Sequence, residues 1–94
     1  MGLRFEWDRA KAKQNLKKHG VSFEDASEVF SDALAANVED TTHSPDENRS
    51  ILIGQTSKRR TLLVVYSERG ESLRIISARA ATKREVTIYE EGEQ

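Results

Sequence analysis

The 94-residue chain has the length of one small domain with a single hydrophobic core, so we predict one domain over residues 1–94. The sequence contains no cysteine, which excludes disulfides and cysteine-ligated zinc and favours a reducing, cytoplasmic location. No apolar run approaches the roughly 20 residues of a membrane span, so no membrane contact is expected.

The net charge of −1 conceals a strong separation of charge along the sequence. Residues 1–20 carry a net charge of +4, residues 21–48 carry −8, residues 49–84 carry +7 and residues 85–94 carry −4. If the fold keeps these blocks apart, a basic face for a polyanion lies beside an acidic face that repels one. The alternative is solvated charge with ion pairs between the blocks.

The N-terminal third is predicted to contain a short extended segment and two helices. The segment RFEW, residues 4–7, favours a strand or an extended lead-in. Asp8 suits the N-cap of a helix of about three turns that ends at Gly20. Ser22 begins a sequence resembling a capping box, and the second helix that follows is amphipathic. Its apolar face consists of Phe23, Ala26, Val29 and Phe30.

The rest of the chain is predicted to form an antiparallel sheet followed by a helix. The strands are a possible edge strand in AANVED, then RSILIG, then the apolar run TLLVVY as the central strand, then LRIISAR. The sequence TKRE, residues 82–85, is a capping box for a final helix that ends near Glu91. This order predicts an α+β fold with two N-terminal helices, an antiparallel three- to four-stranded sheet and a C-terminal helix.

Three segments of the chain resemble the BrnT family of bacterial toxins. They are FEWDRAKAKQNLKKHGVSFEDASEVFSD (5–32), ENRSILIG (47–54) and GESLRIISARAATKREVTIYE (70–90), in the order and at the spacing of the family. The resemblance implies a RelE-like fold and a ribonuclease toxin that cleaves RNA and inhibits translation and growth. It also implies a BrnA-like antitoxin as partner, whose ribbon-helix-helix domain binds DNA. Contact with DNA is then expected only through the antitoxin complex.

RNA cleavage without a metal requires an activated 2′-hydroxyl, cationic stabilisation of the phosphate and an acid for the leaving 5′-oxygen. His19 can exchange a proton near neutral pH, and Arg79 can bind a phosphate through two hydrogen bonds. Together with Lys18 and Lys83 they are the predicted catalytic residues. The predicted RNA-binding residues are Arg49, Arg60, Arg69, Arg74 and Arg84. No cofactor or metal is predicted, because His19 and His43 fit no ligand spacing.

These residues also have structural interpretations. Lys18 and His19 complement the dipole at the end of a helix, and Arg49 can form an ion pair with Glu47. Arg74 alternates with apolar neighbours on its strand, so it lines a groove or meets solvent. Aromatic residues favour packing roles, with Trp7 as an anchor and with Tyr66 and Tyr89 in the core and in helix packing.

Two other classes of function remain open from the sequence. One is a non-catalytic module that binds a partner protein through its acidic helix. The other is a RelE-like toxin that acts on a target other than RNA, such as DNA gyrase. The separated charge does not distinguish between these classes and a ribonuclease.

Overall fold

The computed structural model of the protein describes residues 3–38 and 49–92. The predicted α+β class is confirmed, with three helices and five strands in this part of the chain. Residues 39 and 40 of the predicted edge strand lie outside the described residues. The elements are β1 (Arg4–Glu6), α1 (Arg9–His19), α2 (Phe23–Glu28), a 3₁₀ turn (Val29–Ser31), β2 (Ala36–Val38), β3 (Ser50–Gln55), β4 (Thr61–Arg69), β5 (Ser72–Ala80) and α3 (Lys83–Glu91).

The helix ends follow the local signals in the sequence. Asp8 accepts hydrogen bonds from the backbone N–H groups at the start of α1, and this helix ends at Gly20 with a left-handed φ of 71°. Ser22 caps α2 through its side-chain oxygen. Thr82 and Glu85 form the predicted capping box at the start of α3. These three starts and the end at Gly20 are therefore confirmed.

The strands form one mixed sheet in the order β1-β5-β4-β3-β2. The apolar run in β4 is central, as predicted, and β2 to β5 pair antiparallel with their neighbours. The prediction of a purely antiparallel sheet with three or four strands is wrong, because β1 adds a fifth strand parallel to β5. A three-residue strand that pairs with residues 72–74 carries no local pattern that could reveal its partner.

The two faces of the sheet are covered differently. The first face packs against α1, α2 and the 3₁₀ turn, and the core lies there. The second face carries Ile53, Leu63 and Val65 on neighbouring positions of β3 and β4, and α3 covers part of it. Buried residues of the first-face core are Val21, Phe23, Ala26, Val29, Leu52, Leu62, Val64, Tyr66, Ile75 and Ala78.

Asn15 joins α1 to β5 beyond the point where β1 stops. Its Nδ2 donates to the carbonyls of Ala78 at 2.8 Å and Val21 at 2.9 Å, and its Oδ1 accepts from the Ala78 N–H at 3.1 Å. The Asn15 side chain is buried. Its amide makes the two backbone hydrogen bonds with Ala78 that a neighbouring strand would otherwise make. These contacts fix the position of α1 along the edge of β5.

We expect Asn15→Ala to lower the free energy of unfolding by about 2–4 kcal/mol, because it leaves buried backbone groups of Ala78 and Val21 without partners. Urea denaturation measures the loss. Gln14→Ala changes the exposed neighbouring residue and serves as the control, with an expected effect within about 0.5 kcal/mol. Equal stabilities of the two variants would contradict this role for Asn15.

Candidate active site

A groove of about 240 Å³ lies between α1 and the part of β5 that β1 does not reach. We call it the α1 groove. Its helical residues recur every three or four positions and so share one face of α1. Three of them, Lys11, Lys18 and His19, can carry positive charge, and all three are exposed. The lining residues are Lys11, Gln14, Asn15, Lys18, His19, Ile76 and Ser77.

Arg79 lies on the second face of the sheet and is held by Glu85 of α3. Its Nη1 and Nη2 donate to the two carboxylate oxygens of Glu85 at 2.9 Å each, and Nη1 also donates to the carbonyl of Ala80 at 3.2 Å. These hydrogen bonds lower the pKa of Glu85 and raise the pKa of Arg79. The Arg79 side chain remains 39% exposed, so the pairing orients the guanidinium without burying it.

A second hollow of about 440 Å³ lies on the second face, between the sheet and α3. We call it the sheet hollow. Its floor is apolar, and Arg79, Arg84 and Glu85 lie among its lining residues. Ser77 lines both the sheet hollow and the α1 groove. Lys18 and His19 therefore lie on one side of Ser77, and the side chain of Arg79 lies on the other side.

The end of the sheet nearest these residues is built from three chain segments. Arg60, in the turn between β3 and β4, directs its Nη1 towards the carbonyl of Gly20 at 3.5 Å. The N–H of Ala81 donates to the carbonyl of Thr61 at 2.9 Å. The end of α1, the β3–β4 turn and the start of α3 thus adjoin. Lys83 is exposed there, as the first residue of α3.

Three of the predicted RNA-binding arginines lie elsewhere. Arg69 ends β4 at the opposite end of the sheet from Arg60, roughly 30 Å along the strand. Arg49 immediately precedes β3 at that same far end. Arg74 pairs with Glu6 of β1 at 3.3 Å. The structure therefore brings Arg60 and Arg84 close to the predicted catalytic residues and leaves Arg49, Arg69 and Arg74 apart from them.

The tyrosines occupy packing positions, as predicted. Tyr66 is buried and its hydroxyl donates to Asn37 at 3.1 Å. The Tyr89 hydroxyl donates to Asp32 at 2.7 Å and so fastens α3 beside β3. Desolvation and this hydrogen bond raise the pKa of Tyr89 to about 12. Desolvation alone would raise the pKa of Asp32, but hydrogen bonds from Gln55, Leu34 and Tyr89 outweigh it and lower that pKa.

The sequence prediction missed Lys11, Ser77 and Glu85. Lys11 could have been found, because it precedes Lys18 by seven residues and so lies on the same helical face. Glu85 was recognised only as a capping residue, although six residues separate it from Arg79. Ser77 gives no signal in the sequence. Among residues 3–38 and 49–92, no three histidine or acidic side chains form a group that could hold a metal ion.

Comparison with known proteins identifies the family. A family model described as "Ribonuclease toxin, BrnT, of type II toxin-antitoxin system" matches residues 7–85. The match covers most of the chain, which therefore belongs to the BrnT family. Membership implies an antitoxin partner and an RNA target. A search of the curated proteins gave no match.

A solved structure supports the assignment. The fold is similar to the crystal structure of the ribonuclease toxin BrnT from Brucella abortus, with a TM-score of 0.67 and 25% sequence identity. The similarity covers 87% of this chain and 100% of that chain. Within the described part of the chain, no helix has the length and apolar character needed to cross a membrane.

The Arg79–Glu85 pair predicts a pH dependence of stability. Because the folded-state pKa of Glu85 lies below its ordinary value of 4.5, the pair contributes stability above about pH 4.5 and loses it as the pH falls through the folded pKa. We expect Glu85→Gln to lower the free energy of unfolding by about 0.5–1 kcal/mol at neutral pH, a modest amount because the pair is partly exposed. The free energy of unfolding of this variant should also decrease less than that of the wild type as the pH falls. Chemical denaturation between pH 3 and 7 measures both effects. Glu90→Gln, an exposed change in the same helix, should retain the wild-type profile.

Proposed function

We propose that the protein is a metal-independent endoribonuclease toxin with a RelE-like arrangement of its site, and that a BrnA-like antitoxin with a ribbon-helix-helix domain neutralises it. The observation that supports this proposal is that Lys11, Lys18 and His19 line the α1 groove, and that Ser77 lines both this groove and the sheet hollow that contains Arg79. An imidazole, two ammonium groups and a guanidinium are enough to supply the base, the acid and the cationic stabilisation of metal-independent transphosphorylation.

The proposed reaction uses the 2′-hydroxyl of the RNA as nucleophile. His19 removes the proton of this hydroxyl as its oxygen forms a bond to the adjacent phosphorus. The bond from phosphorus to the 5′-oxygen breaks, and the Lys18 ammonium gives a proton to that oxygen. The products are a 2′,3′-cyclic phosphate and a free 5′-hydroxyl. In this proposal the phosphate lies at the edge of β5 beside Ser77, where Lys11 from the α1 groove and Arg79 from the second face offset the negative charge that accumulates on the phosphate oxygens.

Glu85 has a positioning role in this proposal. Its two hydrogen bonds to Arg79 fix the guanidinium at the boundary between β5 and α3. The exposed part of the guanidinium is then available to a phosphate without a large loss of side-chain entropy on binding. Lys83, Arg60 and Arg84 surround this end of the sheet and add positive charge for the rest of the RNA strand.

We expect His19→Ala and Arg79→Ala each to lower the rate of RNA cleavage in EDTA by at least about 100-fold, near 2.7 kcal/mol of transition-state stabilisation. Toxin freed of its antitoxin is assayed on RNA, and the cyclic phosphate end is identified. Lys17→Ala removes a cation that lies outside the α1 groove and should retain wild-type activity.

Glu85→Gln separates a catalytic role of Arg79 from a structural one. If Arg79 acts on the phosphate, the glutamine variant keeps the guanidinium but positions it less well, so it should lose clearly less activity than Arg79→Ala. A loss in Glu85→Gln as large as that in Arg79→Ala would show that only the ion pair matters. Wild-type rates in both alanine variants, or complete dependence on added magnesium, would overturn the proposed mechanism.

A further inference from the structure

The cavity on the other side of α1 is not used by the proposed reaction. It has a volume of about 630 Å³ and shares no residue with the α1 groove. We call it the Trp7 cleft. Its volume falls within the range of roughly 300–1,000 Å³ that is common for ligand pockets. The lining residues are Trp7, Arg9, Ala10, Ala12, Lys13, Leu16, Ser22, Phe23 and Glu24.

The charge of α1 exceeds what either catalysis or helix stability requires. The helix carries five Lys or Arg residues and His19 but no acidic residue, and all six of these side chains are exposed. Arg9, Lys11 and Lys13 lie in its N-terminal half, and in the first turn positive charge opposes the helix dipole. Lys11 belongs to the α1 groove, whereas Arg9 and Lys13 line the Trp7 cleft. A polyanion that contacts both sides of α1 would account for this distribution.

The aromatic residues of the cleft suit a nucleobase. Trp7 is only partly buried and packs at 76° on Phe23, with ring centroids 5.8 Å apart. Phe23 is fully buried, so it holds Trp7 in a fixed position. An aromatic ring beside two cations is the combination that binds single-stranded nucleic acid, because the base stacks while the cations contact its phosphates. The lining also includes the carboxylate of Glu24, on α2, opposite the basic helix.

We propose that the Trp7 cleft is a second RNA-binding site, which stacks an unpaired base on Trp7 and contacts its phosphates through Arg9 and Lys13. This proposal rests on the proposed ribonuclease function. The RNA strand crosses α1, about 10–12 Å wide, and places the scissile phosphate in the α1 groove. The cleft thus holds a nucleotide that flanks the cleaved bond and contributes to the choice of cleavage position.

The test uses a 2′-O-methyl oligoribonucleotide of about eight residues, which lacks the nucleophile needed for cleavage and so reports binding alone. Trp7 is the only tryptophan in the sequence, so its fluorescence reports on the cleft. We expect the oligonucleotide to quench this fluorescence. Arg9→Gln/Lys13→Gln should weaken binding at least about tenfold at 0.1 M salt and lower the salt slope by about 1.4, the value for two phosphates on single-stranded nucleic acid.

Two further variants keep the test independent of folding. Trp7→Phe retains an aromatic contact with Phe23 and should weaken binding in a protein that still unfolds cooperatively; because it lacks the fluorescent tryptophan, its binding is measured with a labelled oligonucleotide. Lys17→Gln removes one cation of α1 outside both cavities and should change the affinity less than threefold. Absence of quenching together with an unchanged affinity in the double variant would overturn the proposal. Quenching of the Trp7 fluorescence by the antitoxin and not by the oligonucleotide would also overturn the proposal, because the cleft would then be a protein-docking site.

The outcomes for the two proposals are separable. If the wild-type protein fails to cleave RNA but binds the oligonucleotide through Arg9 and Lys13, the proposed ribonuclease mechanism fails and the Trp7 cleft stands as a site for single-stranded RNA. If cleavage occurs but Trp7 is not quenched and the affinity is unchanged in Arg9→Gln/Lys13→Gln, the mechanism stands and the second site is refuted.

Discussion

The buried amide of Asn15 is the interaction on which the candidate site depends. It replaces a missing strand partner of Ala78 and so determines where α1 lies beside β5. Lys11 and Lys18 flank Asn15 on the same helical face, and their position relative to the sheet follows from this one contact. A helix packed by apolar contacts alone could slide or rotate along the strand. Two hydrogen bonds to the backbone of one residue remove that freedom.

Electrostatics divide the molecule in a way that total charge does not show. Arg79 forms an ion pair with Glu85 at one end of the sheet, and Arg74 forms one with Glu6 near the other. The cations of α1 have no acidic residue within their own helix, and the nearest carboxylates in the described part of the chain belong to its N-cap Asp8 and to Glu24 of α2. Because exposed charge is screened beyond about 10 Å at 0.1 M salt, the field of these cations acts mainly on ligands that already touch α1.

The parts of the structure that could be predicted from sequence are those with local signals. The cap at Asp8, the turn at Gly20 and the apolar run in β4 each depend on a few adjacent residues, and all were found. The pairing of β1 with β5 could not be found, since register across such a distance leaves no pattern. For the site, helical spacing could have added Lys11. Charge alone could not show that Arg69 lies at the wrong end of the sheet.

The contacts that β1 and α1 make with β5 have a consequence for folding during synthesis. The contacts that complete the α1 side of the site join residues 63 positions apart, and those of the edge strand join residues 68 positions apart. Such contacts form late in folding, because long loops must close before they contribute. During synthesis, α1 therefore has no strand to dock on until the ribosome has released the segment around Ala78. A chain that lacks the segment around Ala78 therefore cannot hold α1 in the position that forms the α1 groove.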